Sequence, residues 1–157
     1  MTIIERSIEI NAKINLVYQV SQDYGVRYEW DPFPEKIAVV DDAGAALQIG
    51  TQVEVHSKLG MSMIVEFVQL MPPERAAVTM IKGPWFLEKF AGSWIFNRTG
   101  DKQTLARFRY TIIAKPAYLR ILIEPIAALY FARVIQHRLS GLKTFCEKQI
   151  VSGDNSI

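Results

Sequence analysis

The sequence predicts an α+β fold, a sheet of about seven antiparallel strands with one long C-terminal helix covering one face. Three observations predict it. From Lys36 to Ala114 short apolar and alternating runs follow one another with turn residues between them. The gaps between runs are too short for the crossover that a parallel pair needs. After Lys115-Pro116 the spacing becomes helical and holds to about Gln149. A chain of 157 residues, 50% hydrophobic and 22% charged, is sized for one domain and is not disordered by default. That domain is expected over residues 1–151, with SGDNSI at 152–157 a polar tail.

In order, Ile4, Ile8 and Ile10 alternate with Glu5, Ser7 and Glu9, the period of a half-buried strand. Asn11 stands where a helix N-cap belongs, and Leu16, Val17 and Val20 recur at helical spacing. A helix is expected from Ala12 to about Tyr24, with Gly25 stopping it. Tyr28 to Pro34 carries two prolines and can be neither a long helix nor a central strand. Six strands follow, at Lys36–Asp41, Thr51–Leu59, Ser62–Leu70, Ala76–Lys82, Phe86–Asn97 and Gln103–Ala114. The breaks fall at Asp42-Ala-Gly44, Leu59-Gly60, Pro72-Pro73, Gly83-Pro84 and the hairpin signal Thr99-Gly-Asp-Lys102. Tyr118 to Ile123 reads as a short helical turn, after which Glu124-Pro125 restarts the chain. The helix from Pro125 to Gln149 has about 25 residues and would run about 37 Å at 1.5 Å each. Ile126, Tyr130, Val134, Leu142 and Phe145 mark its expected buried stripe, with Arg133, Arg138, Lys143 and Lys148 to the sides.

Several function classes are excluded or disfavoured. A net charge of +2, from 18 basic and 16 acidic residues, is too small for a chain whose main partner is nucleic acid. One cysteine, Cys146, makes no internal disulfide and no structural zinc site, and fits a cytoplasmic location. The start, MTIIERSIEI, lacks the pattern of a secretory signal. The most apolar stretch, Ile121 to Ile135, contains Glu124, Pro125 and Arg133, so no transmembrane segment is expected. The motifs GxSxG, GxGxxG and the Walker loop are missing, which argues against hydrolase, dinucleotide and NTPase chemistry. No metal site and no cofactor are expected, since His56 and His137 lack ligand spacing.

Particular residues carry a family resemblance. Ile8-Glu-Ile-Asn-Ala12 leading into Val17-Tyr18, Asp23-Tyr24 followed by Trp30-Asp-Pro32, and Trp94-Ile-Phe96 are three of its segments. Gly100, Thr104-Leu-Ala-Arg-Phe-Arg-Tyr110 and the terminal Leu139-Ser-Gly-Leu-Lys-Thr-Phe145 complete it. Over about residues 3 to 149 the chain resembles the START-like superfamily of helix-grip proteins. That group includes birch-pollen allergens, polyketide cyclase/dehydrase-type proteins and coenzyme Q-binding proteins. The resemblance implies a curved sheet wrapped around the long helix, with an apolar cavity between them for a hydrophobic small molecule or lipid-like ligand. It allows three functions: a binder, a polyketide cyclase/dehydratase-type enzyme, and a quinone-chaperone or partner-binding module.

Strand parity places the cavity walls. If Glu66 faces water, then Met61, Met63, Val65 and Phe67 face inward. On the last hairpin Phe90, Gly92, Trp94 and Phe96 share one face, and Phe108, Tyr110 and Ile112 match it, leaving Arg107 and Arg109 outside. These side chains either fill a core or line a ligand site. Trp30 and Phe33 lie on the irregular segment, as a gate or as a plug. Tyr130, Val134, His137 and Gly141 are the helix's candidate ligand contacts. Tyr110 and His137 are the candidates for moving a proton, with Tyr110 also reading as a solvated surface residue and His137 as a surface or boundary histidine. Arg27, Glu29 and Asp31 line an entrance or are solvated surface. His56 reads as part of a solvated polar strand face with Gln52, Glu54 and Lys58, and Cys146 as a packed, inert thiol. Converging polar groups are scarce, which favours a binder over an enzyme. Tyr118, Leu119, Leu122 and Ile123 are the apolar patch that a partner, or a weak homodimer, would use.

Overall fold

The computed structural model describes residues 1–32, 34–39, 47–57 and 60–152. Its elements are β1 (Thr2–Ile10), α1 (Ile14–Gln22), α2 (Arg27–Trp30), β2 (Pro34–Val39), β3 (Gln52–Ser57), β4 (Ser62–Met71) and β5 (Arg75–Lys82). Then come β6 (Leu87–Gly100), β7 (Gln103–Ala114), a 3-10 turn at Ala117–Leu119 and α3 (Arg120–Ser152). The strands form one seven-stranded antiparallel sheet in the order β1-β7-β6-β5-β4-β3-β2. The meander from β2 to β7 follows chain order, and β1 returns to pair with β7. Pro34, which has no N–H for a ladder, opens the edge strand β2. Helix α3 lies along β1 and β7 and against α1 and α2.

Strand parity holds where the site is built. Met63, Val65 and Phe67 of β4 are buried, whereas Glu66 is only half-buried and Val68 exposed. On β6 and β7, Trp94 pairs with Phe108 and Gly92 with Tyr110, so both aromatic rows face the same side. Arg107 and Arg109 point away from that core. A Cβ on Gly92 would lie 3.1 Å from the Phe108 ring and 3.5 Å from the Tyr110 ring. The glycine therefore lets two aromatic rings lie close over the strand.

The helices depart from expectation in three ways. Helix α1 begins two residues later than Ala12, and Asn11 does not cap it; Lys13 holds that position without a side-chain cap. The Asn11 N–H instead donates to Glu147 Oε2 at 2.8 Å, tying the end of β1 to α3. The chain does not restart at Glu124-Pro125, because α3 runs through Pro125 as one helix of 33 residues. The proline forfeits one backbone bond there. The helix start is nonetheless anchored to the end of β7, as the Ala114 N–H donates to Glu124 Oε2 at 3.0 Å and Arg120 Nε donates to the Ala114 carbonyl at 2.8 Å. The third difference is rotational. The buried stripe is Phe131, Ile135, Arg138, Leu139, Leu142 and Cys146, whereas Ile126 is 70% exposed and Tyr130, Val134 and Phe145 are half-buried. Of the expected stripe only Leu142 is fully buried. The helix is turned by about one residue, or about 100°, which puts a charged side chain on the inner face.

Candidate functional site

The inner faces of β4, β6 and β7 meet α3 across a cavity. Met63, Phe67, Trp94, Phe108 and Tyr110 supply much of its wall from the sheet, and Gln22, Tyr24, Arg27 and Arg138 close it from the helical side. The rings are tightly engaged: Trp94 and Phe108 have centroids 4.5 Å apart, and Phe108 and Tyr110 4.7 Å. Side chains fill most of the space that the curved sheet encloses. About 70 Å³ remains open to the centres of water molecules, room for a few waters. Drug-sized ligands take roughly 300–1,000 Å³, so one of that size enters only if side chains such as the flexible Met63 turn aside.

At one end of this apolar space sits a buried ionic cluster. Asp31, just after α2, accepts through Oδ2 from Arg138 Nε at 3.1 Å and Nη2 at 2.9 Å, and from Arg27 Nη1 at 3.1 Å. Arg138 Nη1 donates to the Tyr110 hydroxyl at 2.7 Å, which ties α3 to β7. Arg27 Nη2 donates to the Ser21 carbonyl at 2.8 Å. Arg27, Asp31 and Arg138 are all nearly inaccessible to solvent, at 4%, 3% and 6% exposure. Both guanidinium groups lie on aromatic rings, Arg27 4.7 Å from the Tyr24 centroid and Arg138 4.6 Å from that of Phe108. Burial acts to lower the Arg138 pKa, but the charge and hydrogen bonds of Asp31 and Tyr110 outweigh it, so the group is held above its ordinary value. Burial raises the Tyr110 phenol, against the opposing pull of Arg138. Tyr110 is therefore a neutral hydroxyl at ordinary pH.

The structure brings some sequence candidates together and scatters others. Met63, Val65, Phe67, Trp94, Phe108 and Tyr110 line the cavity. Phe96 is fully buried beside Trp94 as core, and Tyr130 and Val134 pack against the core without lining the cavity. His137 is on the exposed face of α3, so it does not reach the cavity. Trp30 is buried against Trp94 and lines a separate groove with Gly141 and Phe145 of α3, outside the cavity. Gly141 faces the backbone of Trp30, not the cavity, and a Cβ there would run into the Trp30 carbonyl oxygen. Phe33 lies outside the described residues. His56 sits on a half-exposed strand face with Nε2 2.8 Å from Glu54 Oε1. Burial, with some help from Glu147, pushes the Cys146 thiol up to about 12, which makes it a poor nucleophile. Of the apolar patch, Tyr118 and Leu122 are exposed but Leu119 and Ile123 are half-buried, and the exposed row continues through Ile121, Ile126 and Leu129.

The residues that sequence reasoning undervalued are Arg27, Asp31 and Arg138, and Tyr110, read also as solvated surface, is buried with its hydroxyl on Arg138. Arg27 and Asp31 are core residues, not solvated surface, because each screens the other's charge across one turn of chain. For Arg138 a signal exists: it is four residues before Leu142 and eight before Cys146, on the stripe that begins at Phe131 and Ile135. Among the described residues no group of three metal-ligating side chains occurs, and no helix is long and apolar enough to cross a membrane.

The sheet gripping a long terminal helix over an aromatic cavity defines a START-like, helix-grip ligand-binding fold. The family model described as polyketide cyclase/dehydrase and lipid transport matches residues 1–147. The chain belongs to that family. No curated protein matches it. Among solved structures it is similar to the Zhui aromatase/cyclase from Streptomyces sp. R1128, with a TM-score of 0.76 and 16% identity over 97% of this chain and 98% of that one. A START superfamily protein from Mycobacterium smegmatis gives a TM-score of 0.73 and 12% identity over 93% and 97% of the two chains. The two-domain aromatase/cyclase StfQ of the steffimycin pathway gives 0.73 and 18%, covering 95% of this chain and 52% of that one. At these identities the likeness is one of fold.

Proposed function

We propose that this protein binds a hydrophobic small molecule in the cavity between the sheet and α3. The observation that carries the reading is the wall itself: aromatic and methionine side chains from three strands surround a space that their rings do not fill. The family's description, which includes lipid transport, supports it. A neutral environment-sensitive dye should bind at about one per chain with micromolar affinity or better. Met63→Trp or Phe67→Lys should weaken that binding, and Glu66→Ala should not. Equal effects at all three positions would remove the cavity as the binding site.

A second reading, chemistry of the cyclase/dehydratase type, draws support from the Tyr110 hydroxyl and Arg138 guanidinium, in contact at 2.7 Å on the cavity wall. A neutral phenol beside a fixed cation can donate a proton toward a developing oxyanion. Tyr110→Phe separates the two readings. For an enzyme, turnover of a candidate polyketide should fall about 100-fold or more. For a binder, affinity should change by no more than a lost hydrogen bond, about 0.5–1.5 kcal/mol.

A further inference from the structure

The polar end of the cavity has a sign. Arg27 and Arg138 both form part of its wall, and Asp31, the carboxylate between them, does not. Among the described residues the ionised groups lining that space are these two cations. Arg27 is also incompletely satisfied. Nη1 is bonded to Asp31 and Nη2 to the Ser21 carbonyl, but its buried Nε finds no acceptor. A buried charged donor without an acceptor is costly, and a protein that keeps one in a cavity wall holds binding capacity in reserve. The rest of the wall is apolar and aromatic, so water is poorly placed to serve that capacity. Guanidinium groups match the planar, two-oxygen geometry of a carboxylate, and in a low-dielectric space that match discriminates strongly against neutral isosteres.

From this we infer that the cavity's ligand is an amphipathic acid, an apolar body ending in a carboxylate or comparable oxyanion that seats against Arg27 at the Arg27–Arg138 end. The inference rests on the cavity being the ligand site and adds the chemical class of what it takes. Arg138, held by Asp31 and Tyr110, fixes the positive end in place. Arg27 is the group with a donor to give, its buried Nε lacking an acceptor on a side chain that forms part of the wall. Aromatic rings lie against both guanidinium groups and steady their planes, and the Tyr24 side chain is also hydrogen-bonded to Arg27.

The test uses three probes of matched apolar body, octanoate, octan-1-ol and methyl octanoate, titrated at pH 7.5 against the wild-type chain with calorimetry. Octanoate should bind at least tenfold more tightly than either neutral probe. In Arg27→Gln, with folding verified by its melting curve, the advantage of octanoate over octan-1-ol, measured on the same variant, should disappear. Octan-1-ol or the ester binding as tightly as octanoate to the wild-type chain would overturn the acidic-ligand inference and leave the cavity reading standing. Failure of all three probes to bind would remove the cavity reading and this inference with it. Because the wild-type comparison needs no variant, a poorly folding Arg27→Gln does not shelter the proposal.

Discussion

Two buried carboxylates fasten α3 to the rest of the molecule, and their surroundings differ. Glu124, near the helix start, accepts from the Thr2 hydroxyl at 2.6 Å and the Ala114 N–H at 3.0 Å, with the Met1 ammonium 3.4 Å away. One negative charge meets one positive charge and two neutral donors. Asp31, near the helix middle, faces two guanidinium groups, one of which retains a buried donor without an acceptor. The first arrangement is closed and sits away from the cavity. The second has its cations in the cavity wall. A buried ionic group whose partners are complete acts as a fastener, whereas one with a donor to spare in the wall of an apolar cavity points to a ligand.

The largest expected effect comes from breaking the second cluster. Asp31→Ala leaves two buried guanidinium groups without the carboxylate they share, and should cost about 3–5 kcal/mol in urea denaturation. A loss under about 1 kcal/mol would mean that the arginines find adequate partners elsewhere. Next comes the packing that brings α2, and with it Arg27 and Asp31, up to α3. Since a Cβ at Gly141 runs into the Trp30 backbone, Gly141→Ala should destabilise by about 1–3 kcal/mol from overpacking, despite the better helix propensity of alanine. Stabilisation by this change would show that α2 does not sit tightly there.

The first cluster gives a smaller effect with a pH signature. Burial acts to raise the Glu124 pKa, but its hydrogen bonds from Thr2 and Ala114 and the nearby ammonium win, so the folded value is lowered. A depressed carboxylate contributes stability that is complete above the unfolded pKa, about 4.3, and is lost as pH falls through the folded value. Glu124→Gln should therefore cost about 1–2 kcal/mol at pH 7, with the gap to wild type closing in acid. A gap that stays constant down to pH 3 would contradict the lowered pKa. The smallest effect is Thr2→Val, about 0.5–1.5 kcal/mol for one hydrogen bond, read from the same denaturation curves.

Much of the sheet was legible because its signals are local. The alternation of Met63, Val65 and Phe67 with Glu66 assigns the β4 faces, and the rows Phe90–Gly92–Trp94 and Phe108–Tyr110 follow from hairpin register. The helical side was less legible. A charged residue on an apolar stripe is ordinarily placed at its edge, and that rule puts Arg138 beside the stripe and turns the expected helix phase with it. What buries Arg138 is a carboxylate 107 positions away in sequence, on a segment whose prolines conceal any period. Gly141 shows the same limit: the residue lies on an inward-turned face, but only the tertiary structure reveals that Trp30, and not a ligand, occupies the space.

The most direct test of the account locates a bound probe. In isotope-filtered NMR, octanoate bound to the wild-type chain should give intermolecular contacts from its methyl and methylene protons to the Met63 methyl and the Trp94 and Phe108 rings. Its carboxylate end should shift the Arg27 Nε–H signal. Contacts instead to Ile121, Leu122 and Leu129 on the exposed face of α3, with the Met63 methyl and Arg27 Nε–H unmoved, would contradict a ligand site between the sheet and the helix.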